Sequence, residues 1–200
     1  MSIEPDFSCL FDIASSQHGY VTTAQAKDCG FSSSLLTYHT QNGRLDRRHR
    51  GVYRLQDFPS SPREDVVAAW LAAGTNTAVV SRDSALDLLD LSDVIPDTVH
   101  LTVPRSRRHL PNLPGVTIHT TTYPLGPMDV IVRDGVRLTS ATRTILDTAA
   151  AGTAPEQIEL AVQQALDRGL TTRRQLEKDA TTRSARVVSL IADSIARGAT

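Results

Sequence analysis

The chain has 200 residues, 40% apolar and 22% charged, with a formal net charge of −1. That is the composition of a globular chain with room for one or two cores, and it excludes a polyanion binder built on overall positive charge. No window approaches ~18 consecutive apolar residues, so no membrane-spanning helix is expected, and the acidic start MSIEPDFSCLF lacks the apolar stretch of a secretory leader. Cys9 and Cys29 form neither a disulfide framework nor a zinc spacing, and are read as reduced, buried small hydrophobes in a cytoplasmic protein.

Residues 5–17 read as a first helix, because Phe7, Leu10, Phe11 and Ala14 recur on one helical face. Residues 20–55 follow as helix, turn, helix and basic ribbon. Thr22 or Thr23 can cap the first of these helices, and Gly30 ends it after Cys29. Ser32 caps the second, which runs to about Gln41 and is stopped by Asn42-Gly43. Residues 44–55 read as a two-stranded ribbon turning near residues 49–51. This is the order of a winged helix–turn–helix, whose second helix docks in the major groove of DNA. Leu36 is expected to face inward, together with Ser32 and His39 or Thr40. Ser33, Ser34, Thr37, Tyr38 and Gln41 then lie outward, with hydroxyl and amide groups able to reach bases or phosphates. That helix has no Arg or Lys. The charge sits in the ribbon, where residues 44–54 hold five arginines against one aspartate. Arg47, Arg48, His49 and Arg50 at its tip are expected to bind phosphate or enter a minor groove. The alternative is a solvated hairpin and a helical pair that packs on a protein.

Residues 56–63, with two prolines and small polar side chains, read as a linker. The expected division is a winged helix–turn–helix domain, 1–57, and an α+β domain, 61–200, with a small sheet and a helical C-terminal half. The second domain opens with Ser61 as a cap and Pro62 in the first helical turn, the helix running to about Ala73. Residues 77–81 read as a short buried strand. Residues 83–91 read as a helix, with Leu88 and Leu91 inside and Asp83, Asp87 and Asp90 on one polar face. Residues 99–103 and 116–120 alternate as strands. The basic loop between them holds Arg105, Arg107, Arg108 and His109. Residues 128–132 and 136–139 flank a tight turn at Arg133-Asp134-Gly135. Four helices complete the chain.

No phosphate-binding glycine motif, nucleophile elbow or metalloprotease motif is present, so no catalytic residue, cofactor or metal is assigned. His100 and His119 fall on neighbouring strands and can face each other; isolated strand histidines are usually only half-exposed. The Asp83/Asp87/Asp90 face reads first as solvated, and otherwise as a Mg²⁺ site or a contact for a basic partner. Residues 82–97 hold five aspartates against one arginine. The loop arginines 105, 107 and 108 can meet nucleic acid, an acidic partner or only solvent. Arg143 and Asp147, one turn apart, read as a structural pair worth ~0.3–0.5 kcal/mol.

The segments GYVTTAQAKDCG, GRLDRRHRGVYRL, PREDVVAAWLAAGTNTAVVSRDSALDLLDL, VHLTVPRSRR and GVRLTSATRTILD, in that order, resemble the AbiEi-type antitoxins, in particular actinobacterial members with an N-terminal winged helix–turn–helix. The resemblance implies an antitoxin that counteracts a nucleotidyltransferase-like AbiEii toxin and represses its own operon at operator repeats. It places DNA contact on Thr22, Thr23, Gln25, Ser33, Ser34, Thr37 and Tyr38, and on Arg44, Arg47, Arg48 and Arg50. Toxin contact is expected at Asp83, Asp87 and Asp90, and at Arg105, Arg107 and Arg108. The rival readings are a regulator whose second domain senses a ligand, and a catalytic antitoxin that modifies the toxin.

Overall fold

A computed structural model describes residues 4–121 and 124–198; the first three residues of the acidic start lie outside them. The fold is α+β. The chain divides into two compact units. One comprises residues 1–78, 110–114 and 133–136; the other comprises residues 79–109, 115–132 and 137–200.

In the first unit, helix α1 (Phe7–Ser15) is capped by Asp6, whose carboxylate accepts from the Ser8 amide. Strand β1 (Tyr20–Thr22) leads into α2 (Thr23–Asp28), a turn, α3 (Ser33–Gln41), β2 (Leu45–His49) and β3 (Val52–Leu55). The three strands form an antiparallel sheet in the order β1-β3-β2. Leu10 and Ala14 of α1, Ala26, Phe31 and Leu36 of the helical pair, and Leu45, Tyr53 and Leu55 of the ribbon share one core. Burying such side chains contributes roughly 1.5–3 kcal/mol each, which fixes the angle at which α3 is presented.

Two expectations fail in this unit. Cys9 and Cys29 are joined in a disulfide with Cα atoms 5.8 Å apart, not reduced. The fold brings α1 beside the end of α2, where the Asp6 amide also donates to the Cys29 carbonyl at 3.0 Å. Twenty residues of separation carry no hint of that approach. Ser32 is exposed, not inward; its hydroxyl accepts from the Leu35 amide as the N-cap of α3, and a cap lies at the solvent end of its helix.

Helix α4 (Glu64–Ala73) packs on all three strands of this sheet. It begins two residues later than Pro62. The Glu64 amide donates to the Ser61 carbonyl at 3.2 Å, closing a turn before the helix starts. Val66 to Leu71 are buried without interruption, and the Trp70 indole N–H donates to the Ala78 carbonyl at 2.9 Å.

The second unit carries a five-stranded sheet. Its strands are β4 (Val79–Val80), β5 (Val99–Val103), β6 (Val116–Thr120), β7 (Val130–Arg133) and β8 (Val136–Thr139), in the order β6-β5-β4-β8-β7. β4 runs antiparallel to β5 and parallel to β8, and β5 runs parallel to β6. Asp134 and Gly135 both take positive φ, 50° and 79°, as the turn between β7 and β8 requires. Helix α5 (Arg82–Leu89) packs on β5 and on α6 (Ala141–Ala151). It buries Ala85, Leu86 and Leu89, while Leu88 is half-exposed, because the helix is turned relative to the expected face. Helices α7 (Pro155–Asp167), α8 (Arg173–Ala180) and α9 (Ala185–Arg197) gather around α6.

The Arg143–Asp147 pair lies inside this helical half. Arg143 is 4% exposed. Its guanidinium donates to Asp147 at 2.8 Å, to Asp129 at 3.3 Å and to the Thr121 hydroxyl at 3.0 Å. Arg183 holds the other Asp147 oxygen at 2.9 Å. The value for an exposed i, i+4 pair therefore does not apply to it.

Candidate nucleic-acid interface

Thr22 and Gln25 form a reciprocal capping box at the start of α2. The Thr22 hydroxyl accepts from the Gln25 amide at 3.3 Å, and the Gln25 side chain accepts from the Thr22 amide at 2.8 Å. Gln25 is further tied to Gln17 at 3.0 Å. Thr23 donates its hydroxyl to the Gly51 carbonyl at 3.3 Å, joining α2 to the ribbon turn. These three residues hold the frame in place before they can touch anything else.

On α3, Leu36 and His39 are buried, and Ser33, Ser34, Thr37, Tyr38 and Gln41 are exposed. Tyr38 is 57% exposed. Thr37 uses its proton on the Ser33 carbonyl, 3.0 Å away, but keeps acceptor capacity outward. His39 packs edge-on against Phe7 and Phe31, with centroids 4.9 and 5.9 Å away, and against Tyr38. Burial first, and then the charge of Arg44, hold its pKa below the ordinary value. It is a neutral core ring, not a DNA contact.

The ribbon divides its arginines. Arg47 and Arg50 are exposed and carry no ion pair among the described residues. Arg44 stands over the Phe7 ring at 5.7 Å. Arg48 pairs with Asp46 at 3.3 Å and with Glu64 at 3.7 Å. Arg54 is 6% exposed; it donates to Glu64 at 3.1 Å and to the Phe58 carbonyl at 2.9 Å. Of the five ribbon arginines, Arg54 is thus structural, and Arg48 is partly neutralised. Glu64, on α4, does this, and no local pattern linked it to the wing. Burial lowers the His49 pKa, so at neutral pH this ring can donate one hydrogen bond but adds no charge.

The residues expected to meet a protein partner lie in the second unit. Asp83 and Asp87 are half-buried one turn apart on α5. Asp90 lies beyond the helix as its left-handed C-cap, φ 53°, so the expected face of three is a face of two. Arg168 closes that helix end, donating to the Leu89 and Asp90 carbonyls at 2.8 and 3.0 Å. Arg105, Arg107 and Arg108 are exposed on and after a short 3-10 turn. His100 and His119 do face each other. Their rings are nearly parallel, with centroids 5.1 Å apart, and Nδ1 of His100 lies 2.8 Å from Nε2 of His119. Among the described residues no group of three or more His, Cys, Asp or Glu could hold a metal ion, and no helix is long and apolar enough to cross a membrane.

Residues 10–56 match the family described as "Transcriptional regulator, AbiEi antitoxin". The match begins within α1 and covers the helical pair and the ribbon. No curated protein matches the chain. Among solved structures, the RV2827C protein from Mycobacterium tuberculosis is similar, with a TM-score of 0.67 at 15% identity over 96% of this chain and 76% of that one. At that identity the likeness concerns the fold alone.

Proposed function

We propose that this chain is an antitoxin and autoregulatory repressor that acts in the cytoplasm. In this reading α3 enters the major groove of an inverted-repeat operator, and the ribbon anchors on phosphate. Ser33, Ser34, Thr37, Tyr38 and Gln41 read the groove through hydroxyl, phenol and amide groups, in part through water. Arg47 and Arg50 supply most of the counterion release, with Arg44 and Arg48 secondary. The observation that carries the reading is a coincidence within residues 10–56. The segment that matches the regulator family also leaves one polar helix face and four arginines exposed, of which Arg47 and Arg50 carry no ion pair or ring contact among the described residues.

The test is a gel-shift titration of the full chain on DNA from its own promoter, across a salt series. The Arg47→Ala, Arg48→Ala, Arg50→Ala triple variant is expected to bind more weakly and with a flatter salt dependence. Unchanged affinity and slope would remove the wing from the mechanism.

Neutralisation is assigned to the second unit, through binding of a nucleotidyltransferase-like toxin. Asp83, Asp87 and Asp90 offer acidic groups to a basic substrate cleft, and Arg105, Arg107 and Arg108 a basic edge beside acidic groups. Co-purification of toxin with wild type but not with the Asp83→Asn, Asp87→Asn, Asp90→Asn variant is the expected result. Undiminished co-purification of that variant would exclude the acidic surface.

A further inference from the structure

We propose that a cavity in the second unit, with charged and hydroxyl side chains in its walls, binds the phosphate group of a small phosphomonoester or of inorganic phosphate. The cavity has a volume of about 190 Å³, and its walls include Arg82, Thr102, His119, Thr121, Asp147 and Arg183. That is below the ~300–1,000 Å³ of sites that enclose drug-sized ligands, and suits a phosphate with a short substituent. A nucleotide would leave its base outside.

The charges favour an anion. Asp147 is already held by two arginines, Arg183 on one oxygen at 2.9 Å and Arg143 on the other at 2.8 Å. Arg143 is also matched by Asp129 at 3.3 Å. Arg82 has no ion pair among the described residues, although it is half-buried and lines the cavity. A half-buried guanidinium with no ion pair of its own can hold a carboxylate or phosphate, and its fork suits two phosphate oxygens at once. Its backbone φ is 52°, in the left-handed region that a residue with a Cβ rarely takes.

The histidine pair contributes a neutral donor. The Thr117 and Thr98 hydroxyls are 3.0 Å apart, and Thr98 lies 3.5 Å from Nε2 of His100. With Thr98 donating to that nitrogen, His100 carries its proton on Nδ1 and donates to Nε2 of His119, 2.8 Å away. His119 then carries its proton on Nδ1, and its ring forms part of the cavity wall. Burial first, then the positive charge of Arg82, hold the His119 pKa down at about 4, with Asp147 a weaker opposing influence.

The experiment is a titration of the full chain at pH 7 with inorganic phosphate and, separately, with ribose 5-phosphate. It is followed by calorimetry and by the NMR signals of the histidine rings. Saturable binding that shifts His119 is expected with at least one of them. Equal affinities identify the phosphate group alone as ligand; tighter ribose 5-phosphate identifies a phosphomonoester. Arg82→Gln should weaken binding by about 10- to 100-fold, the loss typical of a charge-assisted hydrogen bond. Arg82→Lys, which keeps the charge, should recover part of it and remains informative where the glutamine variant unfolds. The proposal is overturned by any of three results. One is no saturable shift of His119 by about 20 mM ligand, where even very weak sites should fill. The second is wild-type affinity in folded Arg82→Gln. The third is a response abolished by Arg47→Ala in the wing instead.

Discussion

In the wing, Arg47 and Arg50 stand exposed with no ion pair among the described residues; in the second unit, Arg143 and Arg183 are buried around one carboxylate, Asp147. The side chain is the same, but its surroundings decide what it does. Exposed guanidiniums contribute little to stability, since a surface ion pair is worth at most ~1 kcal/mol, and they stay available to a polyanion. Buried ones are committed, because removing a partner leaves an unmatched charge away from water. Arg48 falls between these extremes, and Arg54 joins the buried ones, both drawn from the wing into the frame by Glu64.

The largest effect expected from this contrast is at Asp147. Changing it to Ala strips Arg143 and Arg183 of their shared partner and should cost about 3–5 kcal/mol. Urea unfolding combined with hydrogen exchange would locate the loss. Protection should fall in α6 to α9 and persist in α1 to α3. A loss under about 1 kcal/mol would mean that water screens the network as it does a surface pair.

Next comes the wing. In the salt series, the Arg47→Ala, Arg50→Ala double variant should reduce the slope of log affinity against log salt by about 2, close to one unit per phosphate contact. Arg48→Ala alone should change it by clearly less, since Asp46 and Glu64 already neutralise that charge. Equal slopes for Arg48→Ala and Arg47→Ala would show that DNA pulls Arg48 free of its partners, and the contrast between committed and available arginines would weaken.

A smaller effect tests whether Thr22 is frame or contact. Losing its cap on α2 in Thr22→Ala should cost about 1 kcal/mol, read as a shift of the denaturation midpoint. DNA affinity measured well below that midpoint should be unchanged. An affinity loss without a stability loss would make Thr22 a contact.

What could be read in the sequence was what neighbouring residues decide. Thr22 or Thr23 and Ser32 announce their helix starts, and Asn42-Gly43 and Asp134-Gly135 announce their turns, because caps and positive-φ turns use residues a few positions apart. Leu36 alone orients α3, since one buried position fixes a helical face. Partners brought together from far along the chain left no such mark. By sequence Arg54 counts as wing charge, because Glu64 meets it only after α4 packs on the sheet. From the sequence Arg143 reads only as half of a local helix pair, because Asp129 and Arg183 arrive from the turn before β7 and from the segment before α9. Cys9 and Cys29 looked like separate hydrophobes for the same reason. At the candidate site, the exposed face of α3 was legible, and the unequal standing of the ribbon arginines was not.

The mildest test concerns His39, the ring that anchors α3 from inside. Its folded pKa is held below the unfolded value of about 6.5 by burial and by Arg44. The unfolded chain therefore takes up a proton first as pH falls. The contribution of His39 to stability is complete above about 6.5 and declines as pH drops below it. His119, held at about 4 in the second unit, declines over the interval from about 6.5 down to that value. Both units should lose stability on acidification, for the same reason but through different rings. His39→Phe, which keeps an aromatic ring among Phe7, Phe31 and Tyr38, should flatten the pH dependence of the first unit and leave that of the second. NMR titration gives the decisive reading. A His39 ring that titrates at its ordinary value would be in water, and the inward face of α3, and with it the outward one, would have to be redrawn.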